Sequence, residues 1–230
     1  MSAVMEEVVE TELTLADLIE RFGPIPLRRI RRNPAPGTAS ERDVEAIHDR
    51  ENRLYELVDG ILVEKDVGLY ESLIAVTLSH LIKEFLKGKK LGEVFGADGF
   101  MKLRPGLVRI PDVSFVSRER LRRIRIKSRR PLPRLAPNLA VEVLSAGNTK
   151  DEMDRKLVEY FANGVQLVWI IDPIPEEVKV YKSPKRFRTV KHPQRLDGND
   201  VLPGLVISLT DLFECIQDSE PPAEAEKPTA

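Results

Sequence analysis

The sequence contains a single cysteine, Cys215, so an intramolecular disulfide and a cysteine-based zinc site are both excluded. Its three histidines, His48, His80 and His192, are too scattered along the chain to indicate a histidine metal site. No run approaches the ~20 apolar residues that span a bilayer, and the acidic N-terminus lacks the basic and apolar regions of a signal peptide. We therefore predict a soluble protein that works in the cytoplasm, without a membrane partner.

The sequence also lacks an excess of either charge, because 36 Lys and Arg residues nearly cancel 37 Asp and Glu residues. Net charge therefore does not by itself indicate a nucleic-acid partner, and local clusters have to be considered instead. The 230 residues, 42% of them hydrophobic, suffice for one good core. We predict a helical and basic N-terminal extension over residues 1–50, a single domain over 51–217 and a disordered acidic tail over 218–230.

The pattern of apolar residues predicts helices and short strands in mixed order. Two apolar runs of the β type flank Asp59-Gly60, a pair that accepts positive φ and is typical of a tight hairpin. Helical periodicity is predicted over residues 13–22, 40–50, 70–86, 150–162 and 209–216, and strands over 92–97, 99–104, 108–116, 139–144, 165–171 and 177–181. The fold class is α/β in the mixed α+β sense: a central mixed sheet flanked by helices, with an extra N-terminal β-hairpin.

Two acids, Asp112 and Glu142, each stand alone in an apolar strand sequence, over residues 109–116 and 139–144. Such a carboxylate lies on a solvated face of the sheet, or else it is paired or bound to a metal, because burying an unpaired charge costs several kcal/mol. For either acid alone, the solvated face is the ordinary interpretation. Two in succession favour a functional site.

The helix after the second acid supplies Lys156, four residues from both Glu152 and Tyr160 and therefore on one face with them. An exposed lysine with a glutamate one turn away is the usual content of a solvated helix. Its position, one helix after Glu142, is what makes Lys156 a candidate.

Several motifs in this order resemble the Uma-two type of restriction-endonuclease-like protein, of the PD-(D/E)XK nuclease superfamily, over roughly residues 50 to 215. They are Glu56-Leu57-Val58-Asp59-Gly60, Pro111-Asp112, Val141-Glu142-Val143-Leu144-Ser145, Lys156 with Tyr160, the run 164–173 that ends in Asp172-Pro173, and Val201-Leu202-Pro203-Gly204. Each motif is weak alone, whereas the ordered set is specific.

The resemblance implies a restriction-endonuclease-like core in which Asp112, Glu142 and the backbone carbonyl of Val143 bind Mg²⁺, or alternatively Mn²⁺. The superfamily's lysine normally stands two residues after the second acid, where this chain has Leu144. A relocated lysine, Lys156, then assists the nucleophile from the next helix.

A further acid is implied on the first helix of the domain, where Glu71 resembles it, with Glu56 as the alternative. The predicted activity is a Mg²⁺-dependent DNA endonuclease that hydrolyses phosphodiester bonds, and we expect a homodimer because duplex cutting needs two sites. Two alternatives stay open. One is an inactive nuclease-fold module that binds nucleic acid or supports assembly, and the other is an unrelated mixed α/β protein whose acids are merely exposed.

Two basic tracts are candidate contacts for phosphate, residues 28–32 and residues 118–134. The second joins the two acidic strands, so we expect it near the site, with Arg122, Arg123 and Arg125 binding DNA. A solvated basic face that compensates the acidic tail is the alternative.

Overall fold

A computed structural model describes residues 13–66, 68–124 and 132–217 of the chain. The helices are α1 (Leu15–Phe22), α2 (Glu41–Glu51), α3 (Leu69–Leu86), α4 (Arg118–Leu121), α5 (Lys150–Ala162) and α6 (Leu209–Gln217). The strands are β1 (Tyr55–Val58), β2 (Ile61–Glu64), β3 (Gly92–Phe95), β4 (Met101–Arg104), β5 (Leu107–Arg109), β6 (Val113–Ser117), β7 (Leu139–Val143), β8 (Leu167–Asp172), β9 (Glu177–Ser183), β10 (Arg186–Lys191), β11 (Arg195–Asp197) and β12 (Val206–Ser208). Most elements agree with the predicted ones, including the mixed sheet flanked by helices.

The central sheet has six strands in the order β10-β9-β8-β7-β6-β3. Strands β7 and β8 pair in parallel, joined by α5, and the other neighbours pair antiparallel. The predicted hairpin is present as β1 and β2, and it forms a separate four-stranded sheet in the order β2-β1-β5-β4. Strands β11 and β12 form a small third sheet.

Each face of the central sheet is covered by its own hydrophobic cluster. On one face, Ile74 and Leu78 of α3 and Phe213 of α6 pack against Val141 and Trp169 of the sheet. On the other face, α5, α1 and the hairpin sheet pack against alternate residues of β7 and β8. Because successive side chains of a strand point to opposite faces, Glu142 shares the α5 face with Ala140.

The strand predicted over residues 108–116 is divided in two, which corrects the sequence-based expectation. Strand β5 ends at Arg109 and pairs with β1 and β4, whereas β6 begins at Val113 in the central sheet. Pro111 lies between them, and proline has no N–H to donate to a ladder. The break leaves Asp112 just before β6, with its N–H bonded to the carbonyl of Val141.

The described part of the N-terminal extension, residues 13–50, packs against the rest of the chain. Phe22 is completely buried in the α5-side cluster, and Ile30 forms a β-bridge with Val63. Helix α2 buries Val44 and Ile47 against the hairpin sheet. None of the helices in the described ranges is both long enough and apolar enough to cross a bilayer. The predicted tail over 218–230 lies outside those ranges.

Candidate functional site

Glu142 lies near the end of β7 and is buried against α5. The ammonium of Lys156 is 2.9 Å from Oε2 of Glu142, and the hydroxyl of Tyr160 donates to its Oε1. Lys156 and Tyr160 stand one turn apart on α5, so one helical face supplies both partners. Sequence periodicity alone would place Lys156 on a solvated helix face. In the structure it is buried, in contact with Glu142.

Asp112 occupies the break between β5 and β6 and is held from two sides. Its Oδ2 accepts the backbone N–H of Val143 at 2.7 Å, and its Oδ1 lies 2.9 Å from the ammonium of Lys65. Val143 is the neighbour of Glu142, so the two acids are brought together by adjacent antiparallel strands. Asp112 and Glu142 line the same small cavity, together with Lys65 and Lys156.

Glu56 of β1 is a third acid in this cavity. Its Oε1 accepts the backbone N–H of Ile110 at 3.0 Å and lies 3.3 Å from the ammonium of Lys156. Its Oε2 accepts a hydrogen bond of 2.6 Å from Arg109, which is itself buried. Lys156 therefore bridges two carboxylates, Glu142 and Glu56, that come from different sheets.

The charged groups that line the cavity keep Lys156 protonated. Burial alone would lower the pKa of Lys156, but the carboxylates of Glu142 and Glu56 outweigh it and hold that pKa above its ordinary value. Burial raises the pKa of Glu142, with Asp112 and Glu56 adding to the rise and Lys156 opposing it. Lys156 is thus a permanent cation near neutral pH and not a general base, which would need a pKa near the working pH.

Other residues of the cavity carry no signal in the sequence. Lys65 follows the hairpin directly, and its ammonium also donates to the carbonyls of Ile110 and Ala97. Asp66 accepts a hydrogen bond from the hydroxyl of Ser145 at 2.8 Å. Arg29, Asp66 and Asn148 complete the lining. Each reaches the cavity from a loop or from an extension remote in sequence, which periodicity does not reveal.

Glu71 is not brought to this cavity, in contrast to the expectation from the resemblance. It lies in the first turn of α3, and its carboxylate folds back over the chain, so that a Cβ at Gly68 would be 1.9 Å from its Oε2. Glu56, the alternative to Glu71 in the sequence analysis, does line the cavity.

The second basic tract leaves β6 at the end opposite Asp112, so its expected closeness to the acids is not found for residues 118–124. Arg118 is six positions after Asp112, which at ~3.3 Å per strand residue is roughly 20 Å. Arg122 and Arg123 are exposed there, and Arg123 is paired with Glu119. Arg125 lies outside the described residues.

Two arginines of the first basic tract, residues 28–32, form ion pairs within the fold. Arg29 is buried and pairs with Glu152 at 2.8 Å, and Arg31 pairs with Glu51 at 2.7 Å. These guanidinium groups are therefore engaged within the fold and are not free to contact phosphate.

The donor set of the cavity suits a cation that takes few protein ligands. Within residues 13–66, 68–124 and 132–217, no three His, Cys, Asp or Glu side chains converge on a point that could hold a metal ion. Mg²⁺, however, usually binds through one or two carboxylates and completes its shell with water and substrate phosphate. Four carboxylates (Glu56, Asp66, Asp112 and Glu142) and three cations (Arg29, Lys65 and Lys156) line the cavity.

Comparisons with known proteins agree with this architecture. A family model described as "Uma2: Putative restriction endonuclease" matches residues 42–210. One of the solved structures that match is a "putative nuclease belonging to DUF820" from Anabaena variabilis ATCC 29413, with 20% sequence identity and a TM-score of 0.58. The match covers 71% of this chain and 91% of that one, and at this identity it shows a shared fold. No curated protein matches the chain.

Proposed function

Because the chain belongs to the Uma2 family, described as putative restriction endonucleases, we propose that it is a metal-dependent DNA endonuclease with its active site in the cavity of Asp112 and Glu142. One observation carries the proposal: the two carboxylates line the same cavity, and an ammonium, that of Lys156, lies 2.9 Å from one of them. Two acids and a cation are the groups that phosphodiester hydrolysis needs.

Asp112, Glu142 and the carbonyl of Val143 are the residues that would hold Mg²⁺ or Mn²⁺. The N–H of Val143 donates to Asp112, and in an extended strand the N–H and the C=O of one residue point to the same side. The carbonyl of Val143 therefore lies on the side of Asp112. A divalent ion held there would supply Lewis-acid stabilisation of the charge on the scissile phosphate.

Lys156 contributes a fixed positive charge beside the acids. Its amine comes from α5, the helix that follows Leu144, and Leu144 occupies the superfamily's usual lysine position. The contact of Lys156 with Glu142 supports a relocated lysine. Because its pKa is raised, it would orient an attacking water and offset developing negative charge without removing a proton itself. Tyr160 holds the other oxygen of Glu142 and so positions that carboxylate.

The variants Asp112→Asn and Glu142→Gln test the proposal, because they keep the size of each side chain and remove its charge. We expect cleavage of supercoiled plasmid DNA in Mg²⁺ or Mn²⁺ to fall by more than ~100-fold, with Mn²⁺ binding, followed by electron paramagnetic resonance, lost in parallel. Asp200→Asn, at a fully exposed acid between β11 and β12, is the matched control and should cut normally.

Cleavage by both variants at the rate of the unchanged protein would overturn the assignment. A folded protein that binds DNA but neither Mn²⁺ nor Mg²⁺ would establish the alternative, an inactive nuclease-fold binding module. A homodimer would supply the two sites that a double-strand cut requires, and sedimentation of the protein with and without DNA tests this part of the proposal.

A further inference from the structure

A groove runs along α3 and ends at Asp112. On its helical side, Ser72, Val76, Ser79 and Lys83 are spaced by four, three and four positions, which places them in one stripe along successive turns. The strand side comes from β3 and the loop that follows it. The lining residues are Ser72, Ala75, Val76, Ser79 and Lys83 on α3, and Val94, Gly96, Ala97 and Asp112 across from them. The groove therefore joins the proposed active site to the surface of the protein.

The groove is open and offers groups that suit a phosphate backbone. Val76 in its middle is 64% exposed, and the two serine hydroxyls and the ammonium of Lys83 are polar groups of the kind that contact phosphate. Glu93 of β3 points to the opposite face of the strand from Val94, by strand alternation. Of the described residues that line the groove, Asp112 alone is acidic, and Lys65 is paired with it.

Beyond Lys83, the groove leads to a basic surface built from two parts of the chain. The turn after α3 carries three exposed lysines, Lys87, Lys89 and Lys90. The next residue, Leu91, accepts a backbone hydrogen bond of 2.8 Å from Arg118, the first residue of α4. We call this combined surface, Lys87–Lys90 with Arg118–Arg123, the basic end of the groove.

We propose that the groove is the path of one strand of duplex DNA, whose phosphates contact the basic end, follow α3 past Val76 and reach the cavity at Asp112. This inference rests on the proposed function and assigns its substrate-binding surface. At ~3.4 Å of duplex axis per phosphate of one strand, the roughly 20 Å between Arg118 and Asp112 corresponds to at most about six phosphates. The basic tract thus serves the site across this distance and not by direct contact with the acids.

The test uses two variants: one blocks the middle of the groove, and the other removes the charge of its lysine. Val76→Glu places a negative charge on an exposed helical position, and Lys83→Gln removes one phosphate contact. The matched controls are Val158→Glu, at a position of α5 that is 56% exposed, and Lys182→Gln on β9, where the side chain is 49% exposed. Binding is measured by fluorescence anisotropy in EDTA, with a duplex of about 20 base pairs, long enough to cover the path.

We expect Val76→Glu to weaken binding by about tenfold or more, and Lys83→Gln to weaken it several-fold and reduce the slope of log K against log salt by about one. Both controls should bind as the unchanged protein does. Equal binding by all four variants, or equal weakening in groove and control variants, would overturn the path. The binding assay contains no metal, so it tests the path separately from the metal site. If the groove variants bind DNA as the controls do while Mn²⁺ still binds at Asp112 and Glu142, the path is wrong and the proposed function stands. If only the groove variants bind DNA less tightly and the unchanged protein does not cut DNA, the path is supported and the proposed function is not.

Discussion

The ammonium of Lys65 lies 2.9 Å from Oδ1 of Asp112, and both side chains belong to the cavity that also holds Glu142. The lysine is nearly buried, and it donates in addition to two backbone carbonyls, of Ile110 at 2.7 Å and Ala97 at 3.1 Å. Lys65 therefore fixes the loop before β6 and supplies positive charge to the acid that we propose as a metal ligand. The carboxylate of Asp112 therefore contacts an internal cation, Lys65, and also lines the cavity in which we propose that the substrate binds.

Lys65→Met should destabilise the protein, and a divalent ion should restore part of the loss. Removing one partner of a buried pair costs about 3 kcal/mol or more, because Asp112 is left with less compensation. Mn²⁺ at Asp112 would replace the missing charge, so the loss measured by urea denaturation should be smaller in Mn²⁺ than in EDTA. Lys102→Met, which breaks a pair with Glu41 at 3.1 Å outside the cavity, should lose the same stability in both conditions. An identical response of the two variants to Mn²⁺ would contradict this.

Glu56 makes the stability of the protein depend on acid pH. Burial raises its pKa, but the charges of Lys156 and Arg109 and the N–H of Ile110 outweigh burial and lower it from 4.5 to about 2. A lowered pKa means that the carboxylate stabilises the folded state above pH 4.5 and that this contribution disappears as the pH falls towards 2.

Glu56→Gln should therefore flatten the dependence of unfolding free energy on pH across that range while lowering stability near neutral pH by about 3–5 kcal/mol. Urea denaturation at a series of pH values measures both effects. Glu84→Gln, fully on the surface of α3, should keep the slope of the unchanged protein. Parallel curves for Glu56→Gln and the unchanged protein would show that Glu56 does not carry the effect.

Local signals in the sequence predicted most of the fold because they act within a few residues. Thr14 and Ser40 are the N-cap residues of α1 and α2, and each exchanges hydrogen bonds with the acid three residues further on. Asp59 and Gly60 adopt φ of 47° and 79°, as a tight hairpin requires. The division at Pro111 was missed because apolar residues continue on both sides of it, and only the pairing partners show that two sheets are involved.

The candidate site was predictable only where a charge stood out against its neighbours. Asp112 and Glu142 were singled out because carboxylates in apolar strands need a partner, whereas Lys156 was singled out by its position in the next helix and Glu56 only by the family resemblance. Lys65 and Arg29 were missed because each follows a polar or basic neighbour, and their partners lie far along the chain. The tract leaves β6, Val113–Ser117, at the end opposite Asp112, so the length of that strand separates Arg122 and Arg123 from the acid. The sequence-based expectation considered only that the tract joins the two acidic strands.

Tyr160→Phe tests whether the phenol hydroxyl holds Glu142 in place. The change keeps the buried ring and removes the donor to Oε1 of Glu142, so a buried carboxylate oxygen loses a partner. We expect a stability loss of about 1–3 kcal/mol and weaker Mn²⁺ binding. Tyr181→Phe, whose ring packs on Phe187, should change stability by less than ~0.5 kcal/mol and leave Mn²⁺ binding unaltered. Unaltered Mn²⁺ binding in Tyr160→Phe would limit Tyr160 to a packing role.

Arg29 connects the N-terminal extension to the cavity, and comparing it with its neighbour Arg28 tests that connection. Both terminal nitrogens of the Arg29 guanidinium donate to Glu152, at 2.8 and 2.9 Å, and further hydrogen bonds reach the carbonyls of Glu64 and Gly147. Burial alone would raise the pKa of Glu152, but the hydrogen bond from Arg29 and the charge of Lys156 lower it, so the pair is ionised.

Arg29→Met should therefore cost about 3–5 kcal/mol of stability, because it leaves a buried carboxylate without its partner. Arg28→Met removes the same type of side chain from an exposed position one residue away and should change stability by less than ~0.5 kcal/mol. Thermal or urea unfolding of the two variants gives the comparison directly. Equal stability in both would mean that the extension is a separate appendage, whereas a loss confined to Arg29→Met would make it part of the unit that builds the site.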